Sequence, residues 1–129
     1  MPAVALVVDD SMLIRYSICR FLSDRGFTVE TAANGHEALD VVARIQPDLV
    51  ITDLQMPKMG GCELISALKC QPKTASVPII IVAAKTSDFS KSEKRADFTI
   101  CKDIDVDAQL GEALRTLFRE SSHSQSAGN

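Results

Sequence analysis

The stretch Ile79-Ile80-Ile81-Val82 is a continuous run of β-branched residues, which indicates a strand buried on both faces of a sheet. Four more runs rich in such residues occur before and after it, and segments with helical spacing separate them. This alternation predicts parallel strands that are joined by right-handed crossovers. The four runs are Leu49–Thr52 and Phe98–Cys101 on either side, and Val4–Val8 and Thr28–Ala32 nearer the start.

Helical patterns fill the segments between these runs, because apolar residues recur there at spacings of three and four. Gly26 marks the predicted end of the first helix. After the last helix, the Ser-rich segment Ser121–Asn129 is predicted to be a mobile tail. The apolar stripes are Met12, Tyr16 and Cys19; Ala38, Val41, Val42 and Ile45; Leu64, Ile65 and Leu68; and Leu110, Ala113, Leu114, Leu117 and Phe118.

Length and composition are those of one globular domain, which we place at residues 1–120 with a flexible tail at 121–129. A net charge of -3, scattered basic residues and only 5% aromatic residues predict no nucleic-acid surface. The first apolar run lacks a basic leader and meets acidic residues too early for a signal peptide or membrane span, which predicts a cytoplasmic protein. The four cysteines form no C-x-x-C pair, so zinc and redox motifs are absent.

Acidic side chains follow two of the predicted strands. Asp9 and Asp10 come after the first strand and Asp53 ends the third, so an open α/β sheet would bring all three to one edge. Three anions repel unless a cation neutralises them, and hard oxygen ligands with room for water suit Mg²⁺. Lys102 adds a positive charge after the fifth strand, which completes a set suited to phosphoryl transfer to a carboxylate. Alternatively, Asp9-Asp10-Ser11 simply caps the first helix.

The string Asp53-Leu54-Gln55-Met56-Pro57-Lys58-Met59-Gly60-Gly61, with Asp9-Asp10 and Lys102 after other strands, resembles the response-regulator receiver family. The resemblance extends over nearly the whole chain. It implies a flavodoxin-like open sandwich, with a five-stranded parallel sheet in the order 2-1-3-4-5 and helices on both faces. It also implies that Met56-Pro57 and Gly60-Gly61 shape the turn after Asp53, since Pro fixes one backbone angle and Gly permits positive ones.

The same resemblance implies a role for each residue of the acidic pocket. Asp53 is the expected phosphoacceptor. Asp10 and Asp53 are expected to bind Mg²⁺ directly, Asp9 through metal-bound water, and Gln55 through its backbone carbonyl. Lys102 is expected to hold a phosphoryl oxygen. Beyond its own phosphorylation and dephosphorylation at Asp53, no enzymatic activity is implied.

Three positions depart from the receiver pattern. Ala83 stands where the family has Ser or Thr, and the lost hydroxyl removes a bond to a charged phosphoryl group that contributes about 1.5 to 3 kcal/mol. Thr99 occupies the aromatic switch position, and Phe98 lies one step away on the opposite face. Asp103 replaces the proline that commonly follows the lysine through a cis bond, which predicts a trans peptide with a displaced loop or a strained one.

The segment Lys85–Asp97 is shorter than receivers usually have between the fourth and fifth strands, and Phe89 is its only large apolar residue. A helix that packs on the sheet needs an apolar stripe. We therefore predict a short or irregular fourth helix of high mobility, with the output surface moved elsewhere. Thr86 or Ser87 is a candidate substitute for the missing hydroxyl.

Two functional hypotheses remain open. The first is a stand-alone receiver that takes a phosphoryl group from a sensor histidine kinase or phosphotransfer protein. It would be a monomer or weak homodimer. It is expected to act on a downstream protein target, because the chain ends soon after the last helix. The second is a phosphorylation-independent interaction module with a degenerate switch, which Ala83 and Thr99 favour. A dehalogenase-like phosphatase needs an acid at position 55, which is Gln.

Overall fold

The computed structural model of the protein describes residues 3–54, 56, 58–83, 96–102 and 105–127, with side chains as far as residue 118. Within these residues, five parallel strands form one sheet in the order β2-β1-β3-β4-β5, which confirms the predicted topology. The strands are β1 (Val4–Val8), β2 (Thr28–Ala32), β3 (Leu49–Asp53), β4 (Ile79–Ala83) and β5 (Phe98–Cys101).

Helices cover both faces of this sheet. Apolar residues of α1 and of the C-terminal helix pack on one face, and those of α2 and α3 pack on the other. Each helix follows a strand, as the alternating sequence pattern predicts. The helices are α1 (Met12–Asp24), α2 (Gly35–Arg44), α3 (Gly61–Lys69) and the C-terminal helix (Val106–Ala127).

The strands contribute to two hydrophobic clusters at once, because successive side chains of a strand point to opposite faces. In β4, Ile79 and Ile81 pack against α2 and α3, whereas Ile80 and Val82 pack against α1 and the C-terminal helix. All four side chains are buried. This double burial explains why the run is continuously apolar and does not alternate with polar residues.

The observed buried face of α1 differs from the stripe that the sequence suggested. Met12 is 73% exposed and Tyr16 is 64% exposed, whereas Ile18, Phe21 and Leu22 are buried. Cys19, the third residue of the predicted stripe, is half-buried and packs against the core as expected. Met12 and Tyr16 lie about 150° from the buried set around the helix axis, since each residue turns it by about 100°. Both sets have helical spacing, and only contact with the sheet and the C-terminal helix selects one of them.

Local signals at helix ends agree with the fold. Gly26 has a φ of 90° directly after α1, in the left-handed region where glycine meets no steric cost, which confirms its predicted role as a stop. At the start of α2, Asn34 Oδ1 accepts the N–H of Glu37 at 3.0 Å, and Glu37 Oε1 accepts the N–H of Ala33 at 3.1 Å. These bonds satisfy backbone donors that the first turn of a helix leaves open.

Some predictions fall on residues outside the described ranges. The predicted short fourth helix, with Phe89, Thr86 and Ser87, lies almost entirely within 84–95. The Lys102–Asp103 peptide also lies outside, because Asp103 is not described. Helical backbone continues through Ala127, so it enters the segment predicted to be a tail, and the mobility of that tail stays a prediction. Among the described residues, no helix combines the length and apolar character needed to cross a membrane.

Candidate functional site

Three carboxylates meet where the strand order of the sheet reverses, between β1 and β3. Asp9 and Asp10 follow β1, and Asp53 is the last residue of β3. One carboxylate oxygen from each residue lies within 4.8 Å of the others. Asp9 and Asp53 are buried, and Asp10 is exposed. The sequence predicted this convergence because the carboxyl ends of parallel strands share one edge.

Asp9 is held in place by several hydrogen bonds. The Ser11 N–H donates to its Oδ1 at 2.8 Å, and its own N–H donates to the carbonyl of Ala32 at 3.1 Å. Arg15 Nη1 donates to the carbonyl oxygen of Asp9 at 2.6 Å. The N-cap of α1 is Ser11, whose hydroxyl accepts the N–H of Ile14 at 3.4 Å, so neither acid serves as the N-cap residue.

Lys102 brings a positive charge into this cluster. Its Nζ donates a hydrogen bond to Asp53 Oδ2 at 2.8 Å and lies 3.2 Å from Asp9 Oδ2. Its backbone N–H donates to the carbonyl of Ala83 at 2.9 Å, which continues the pairing of β5 with β4 past the end of the strand. The lysine therefore bridges the carboxylate that follows β1 and the carboxylate at the end of β3, from a backbone position fixed by β4.

Burial and the charges of the cluster change the pKa of two of its members. Burial raises the pKa of Asp9, and the hydrogen bond from Ser11 lowers it by less. The negative charge of Asp53 raises it further. Burial by itself lowers the pKa of Lys102, but its hydrogen bond to Asp53 and the charges of Asp53 and Asp9 outweigh burial and raise it. An excess of negative charge remains, since three carboxylates share one ammonium.

The donor set fits a divalent cation with a preference for hard oxygen ligands. Asp9 Oδ2 is buried and accepts no hydrogen bond of acceptable geometry within the part of the chain that the structure describes, although Lys102 lies within ion-pair distance. Asp10 and Asp53 offer further oxygens to the same space. Exposure of Asp10 leaves one side open to water, as Mg²⁺ requires. Gln55, the fourth predicted ligand, lies outside the described residues.

The turn after β3 needs glycine because there is no room for a side chain, which differs from the predicted reason. Gly60 has a φ of -82°, and among the described residues of this turn the positive φ, 68°, belongs to Lys58. A Cβ on Gly61 would overlap the carbonyl oxygen of Asp53, and a Cβ on Gly60 would lie 3.0 Å from the carbonyl oxygen of Leu54. The prediction that Gly60-Gly61 supplies positive φ angles is therefore wrong: close backbone approach is the reason that glycine is needed.

A second contact holds this turn against α2. The N–H of Gly35 donates to the carbonyl of Met59 at 2.9 Å. The side chain of Met59 fills the space that a Cβ on Gly35 would occupy. The turn that follows Asp53 is thus packed against the start of α2, which limits how far the phosphoacceptor candidate can move.

The switch positions lie at the β4 and β5 side of the site. Ala83 is 3% exposed and packs with Ile81 in the cluster under α2 and α3. Thr99 is exposed and pairs in register with Ile81. Phe98 packs in the opposite cluster, so the neighbouring aromatic ring does lie on the other face, as predicted from the two-residue period of a strand. A methyl group therefore stands where the receiver pattern has a hydroxyl, and Thr99 stands where the pattern has an aromatic ring.

Sequence reasoning did not identify Arg15 as part of the site. Its guanidinium fixes the backbone of Asp9, which is six residues earlier in the chain. An arginine in the first turns of a helix is common at surfaces, so the sequence offers no signal that separates it from a solvated residue. Only the path of the chain from β1 into α1 brings the two together.

Comparisons with known proteins agree with this architecture. The profile of the family described as response regulator receiver domain matches residues 5–115. Response regulator MprA of Mycolicibacterium vanbaalenii is 34% identical over 131 residues, which cover 99% of this chain and 55% of MprA. MprA of Mycobacterium sp. (strain KMS) is 40% identical over 125 residues, which cover 95% and 53%. The chain thus spans about half the length of the curated relatives it matches.

Solved structures show the same fold over almost their whole length. Chemotaxis protein CheY4 of Vibrio cholerae is 34% identical and superposes with a TM-score of 0.82, over 90% of this chain and 98% of CheY4. The signal receiver domain of a histidine kinase from Syntrophus aciditrophicus is 29% identical with a TM-score of 0.81, over 92% and 91%. The predicted flavodoxin-like arrangement of the sheet and helices is confirmed.

Proposed function

The chain belongs to the response regulator receiver family of two-component signalling, and on this premise we propose that it accepts a phosphoryl group on Asp53. One observation carries the proposal. Asp9, Asp10 and Asp53 place carboxylate oxygens within 4.8 Å of one another, and Lys102 Nζ lies 2.8 Å from Asp53 Oδ2. A nucleophile, a set of metal ligands and a cation thus meet at one edge of the sheet.

In the proposed step, a carboxylate oxygen of Asp53 attacks the phosphorus of a phosphohistidine on the donor protein. The new O–P bond forms as the N–P bond breaks, and the imidazole nitrogen keeps the electron pair of the broken bond. The product is an acyl phosphate on Asp53. Most of the work of the protein in such a transfer is positioning and charge neutralisation.

Lys102 has a defined part in this proposal. Its ammonium now binds Asp53 Oδ2, and after transfer it is free to bind a phosphoryl oxygen a short distance away. The Lys102 ammonium would thus pair with a carboxylate oxygen before the transfer and with a phosphoryl oxygen after it. Because the raised pKa of Lys102 keeps the amine protonated, this charge is present throughout the physiological pH range.

Asp10 and Asp53 would hold Mg²⁺ directly, Asp9 through a bound water, and Gln55 through its carbonyl. When bound, Mg²⁺ neutralises charge on the phosphoryl oxygens and lets the anionic donor approach three carboxylates. The residues that would hold Mg²⁺ have different surroundings. Asp10 is exposed, whereas Asp9 is fixed by Ser11 and by Arg15.

The remaining parts of the proposal concern partners. A sensor histidine kinase or phosphotransfer protein is the proposed donor, and a downstream protein is the proposed target in a phosphorelay. Action as a stand-alone domain, a monomeric or weakly dimeric state, a cytoplasmic location and the lack of nucleic-acid binding stay predictions. Receiver domains are signalling modules, and the chemistry that we propose for this chain is limited to phosphorylation and dephosphorylation of its own Asp53.

Intact-mass spectrometry after incubation with Mg²⁺ and acetyl phosphate tests the proposal. We expect a single phosphoryl adduct that is stable in acid and labile in base, and that EDTA prevents. Asp53→Asn removes the nucleophile and should abolish the adduct. Asp40→Asn is the matched control, because Asp40 is an exposed carboxylate on α2 outside the site. A missing adduct in folded, Mg²⁺-binding wild-type protein would refute the proposal.

A second candidate function is supported by Ala83. Its buried methyl group cannot donate a hydrogen bond to a phosphoryl oxygen, so phosphorylation has one contact fewer with which to change the conformation of β4 and β5. The chain would then act as an interaction module that binds its target without phosphorylation. Equal target affinity of wild type and Asp53→Ala under phosphorylating conditions would favour this function over the first.

A further inference from the structure

Gln109 of the C-terminal helix binds the backbone of β5 beside Lys102. Its Nε2 donates to the carbonyl of Cys101 at 2.8 Å, and its Oε1 accepts the N–H of Cys101 at 3.0 Å. β5 is the last strand of the described sheet, so the outward-facing N–H and C=O of Cys101 have no neighbouring described strand. One side-chain amide therefore does what a sixth strand would do at this residue.

The same side chain also reaches the start of its own helix. Gln109 Nε2 lies 3.3 Å from the carbonyl of Asp105, and the backbone N–H of Gln109 donates to that carbonyl at 3.2 Å. Asp105 Oδ1 accepts the N–H of Ala108 at 3.1 Å, as an N-cap side chain does. Gln109 thus ties the end of β5 to the start of the C-terminal helix.

Lys102 lies directly beside this connection. Its backbone N–H binds the carbonyl of Ala83 on the inner side of the strand, whereas Cys101 is bound by Gln109 on the outer side. The peptide that carries the lysine is therefore held from both edges. The residue after Lys102 is Asp103, so this chain lacks the rigid ring of a proline at that position.

We propose that Gln109 is a positioning residue that holds Lys102 against Asp53 and Asp9. The proposal rests on the proposed function, in which the Lys102 ammonium neutralises the incoming phosphoryl group. A side chain that neutralises charge must be placed within a fraction of an ångström, because displacement by about 1 Å can lower a rate by orders of magnitude. Without the amide, Cys101 can move outward, and the Lys102 ammonium moves with it.

Gln109→Ala removes both hydrogen bonds to Cys101. With acetyl phosphate and Mg²⁺, we expect phosphorylation of the full chain to slow by about tenfold. In a Lys102→Ala background the same substitution should have no further effect, because the residue that it positions is gone. Equal slowing in both backgrounds, or no slowing in either, would overturn the proposal. Gln109→Met keeps the side-chain volume and should behave as Gln109→Ala does.

Thr116→Ala is the matched control. Thr116 is exposed on the same helix, and its hydroxyl donates to the carbonyl of Glu112 in that helix at 2.9 Å. The phosphorylation rate of Thr116→Ala should equal that of wild type. Circular dichroism spectra of all variants show whether each remains folded.

A second readout does not require phosphorylation. The rate at which acetyl N-hydroxysuccinimide ester modifies Lys102 Nζ, measured by peptide mass spectrometry, reports how firmly the amine is held between carboxylates. We expect severalfold faster modification in folded Gln109→Ala and Gln109→Met, with Lys69 as an unchanged internal control. An unchanged Lys102 rate would overturn the positioning role. Failure of wild type to accept a phosphoryl group would refute the proposed function instead.

Discussion

The two halves of the site edge differ in how closely they follow the receiver pattern. At the ends of β1 and β3, the three carboxylates place oxygens within 4.8 Å of one another, and Gly61 lies directly against the carbonyl of Asp53. At the ends of β4 and β5, only Lys102 is present, while Ala83 offers a methyl group and Thr99 a short exposed side chain. From this contrast we expect that phosphoryl transfer and its coupling to conformational change can be tested separately in this chain.

The largest expected effect concerns the packing of the β1 and β3 half. In Gly61→Ala the new Cβ would overlap the carbonyl oxygen of Asp53, so the turn must shift. We expect a loss of about 3 kcal/mol in the free energy of unfolding, measured by urea denaturation, together with slower phosphorylation. Gly111→Ala in the C-terminal helix is the control. Its Cβ would lie 3.8 Å from the Phe21 ring, an ordinary contact, so it should gain about 0.5 to 1 kcal/mol.

A loss of less than 0.5 kcal/mol in Gly61→Ala would contradict the view that backbone contact fixes the position of Asp53. The half at the ends of β1 and β3 would then be as tolerant of substitution as the C-terminal helix. The comparison of the two glycines thus tests whether this half is rigid by packing or only by its charges.

The next effect concerns the half that departs from the pattern. In Ala83→Ser a hydroxyl is restored at a buried position, where it can donate to a phosphoryl oxygen. That bond should add about 1.5 kcal/mol, or tenfold in an equilibrium constant, to the stabilisation that phosphorylation provides. Urea denaturation with and without Mg²⁺ and beryllofluoride, a mimic of the phosphoryl group, measures the gain. Thr99→Ala, an exposed change on β5, should leave it unaltered.

If Ala83→Ser gives no gain, then the lost hydroxyl is not what separates transfer from coupling in this chain. Stronger stabilisation of Ala83→Ser by beryllofluoride would show that the missing hydroxyl, and no wider change in β4 and β5, accounts for the difference between the two halves.

The smallest effect concerns the buried charge of Asp9 without Mg²⁺. Its pKa is raised above the ordinary value of 3.8, so the folded protein binds this proton more tightly than the unfolded chain. The stability that it contributes is present below pH 3.8 and is lost as the pH rises through the raised value. At pH 7, Asp9→Asn should therefore raise the free energy of unfolding. The gain should disappear in strong acid.

Thermal denaturation across this pH range, with and without Mg²⁺, measures the effect. Asp40→Asn on the exposed face of α2 should change neither the stability nor its pH dependence. We also expect Mg²⁺ to stabilise wild type more than Asp9→Asn. Lower stability of Asp9→Asn at pH 7 without metal would contradict the idea that the acidic half is under electrostatic strain.

Much of the fold was predictable from the sequence because buried parallel strands have a strong signature. The runs at Val4, Leu49 and Ile79 each became a strand within one residue of the expected bounds. The face of α1 was not predictable, since Met12 and Tyr16 have the same spacing as the buried Ile18 and Leu22. Periodicity identifies a helix, but the elements that pack against it select its buried side.

The candidate site shows the same division. The three acids and Lys102 could be predicted to meet, because their places after strands fix them to one sheet edge. The reason for the glycines after Asp53 could not be predicted, since it depends on how close Gly61 comes to the Asp53 carbonyl. Arg15 and Gln109 also escaped prediction, because each acts on backbone atoms, which every residue possesses.

The sequence by itself determined the order of strands and helices, the acidic cluster at one edge and the absence of a hydroxyl at Ala83, because these follow from residue type and position along strands. Only the tertiary structure decided which two of the acids are buried, which carboxylates Lys102 bridges and which side chain holds the backbone beside Lys102. Those properties depend on distances between segments far apart in the chain. Burial and ion-pair energies vary steeply with such distances, and no local pattern encodes them.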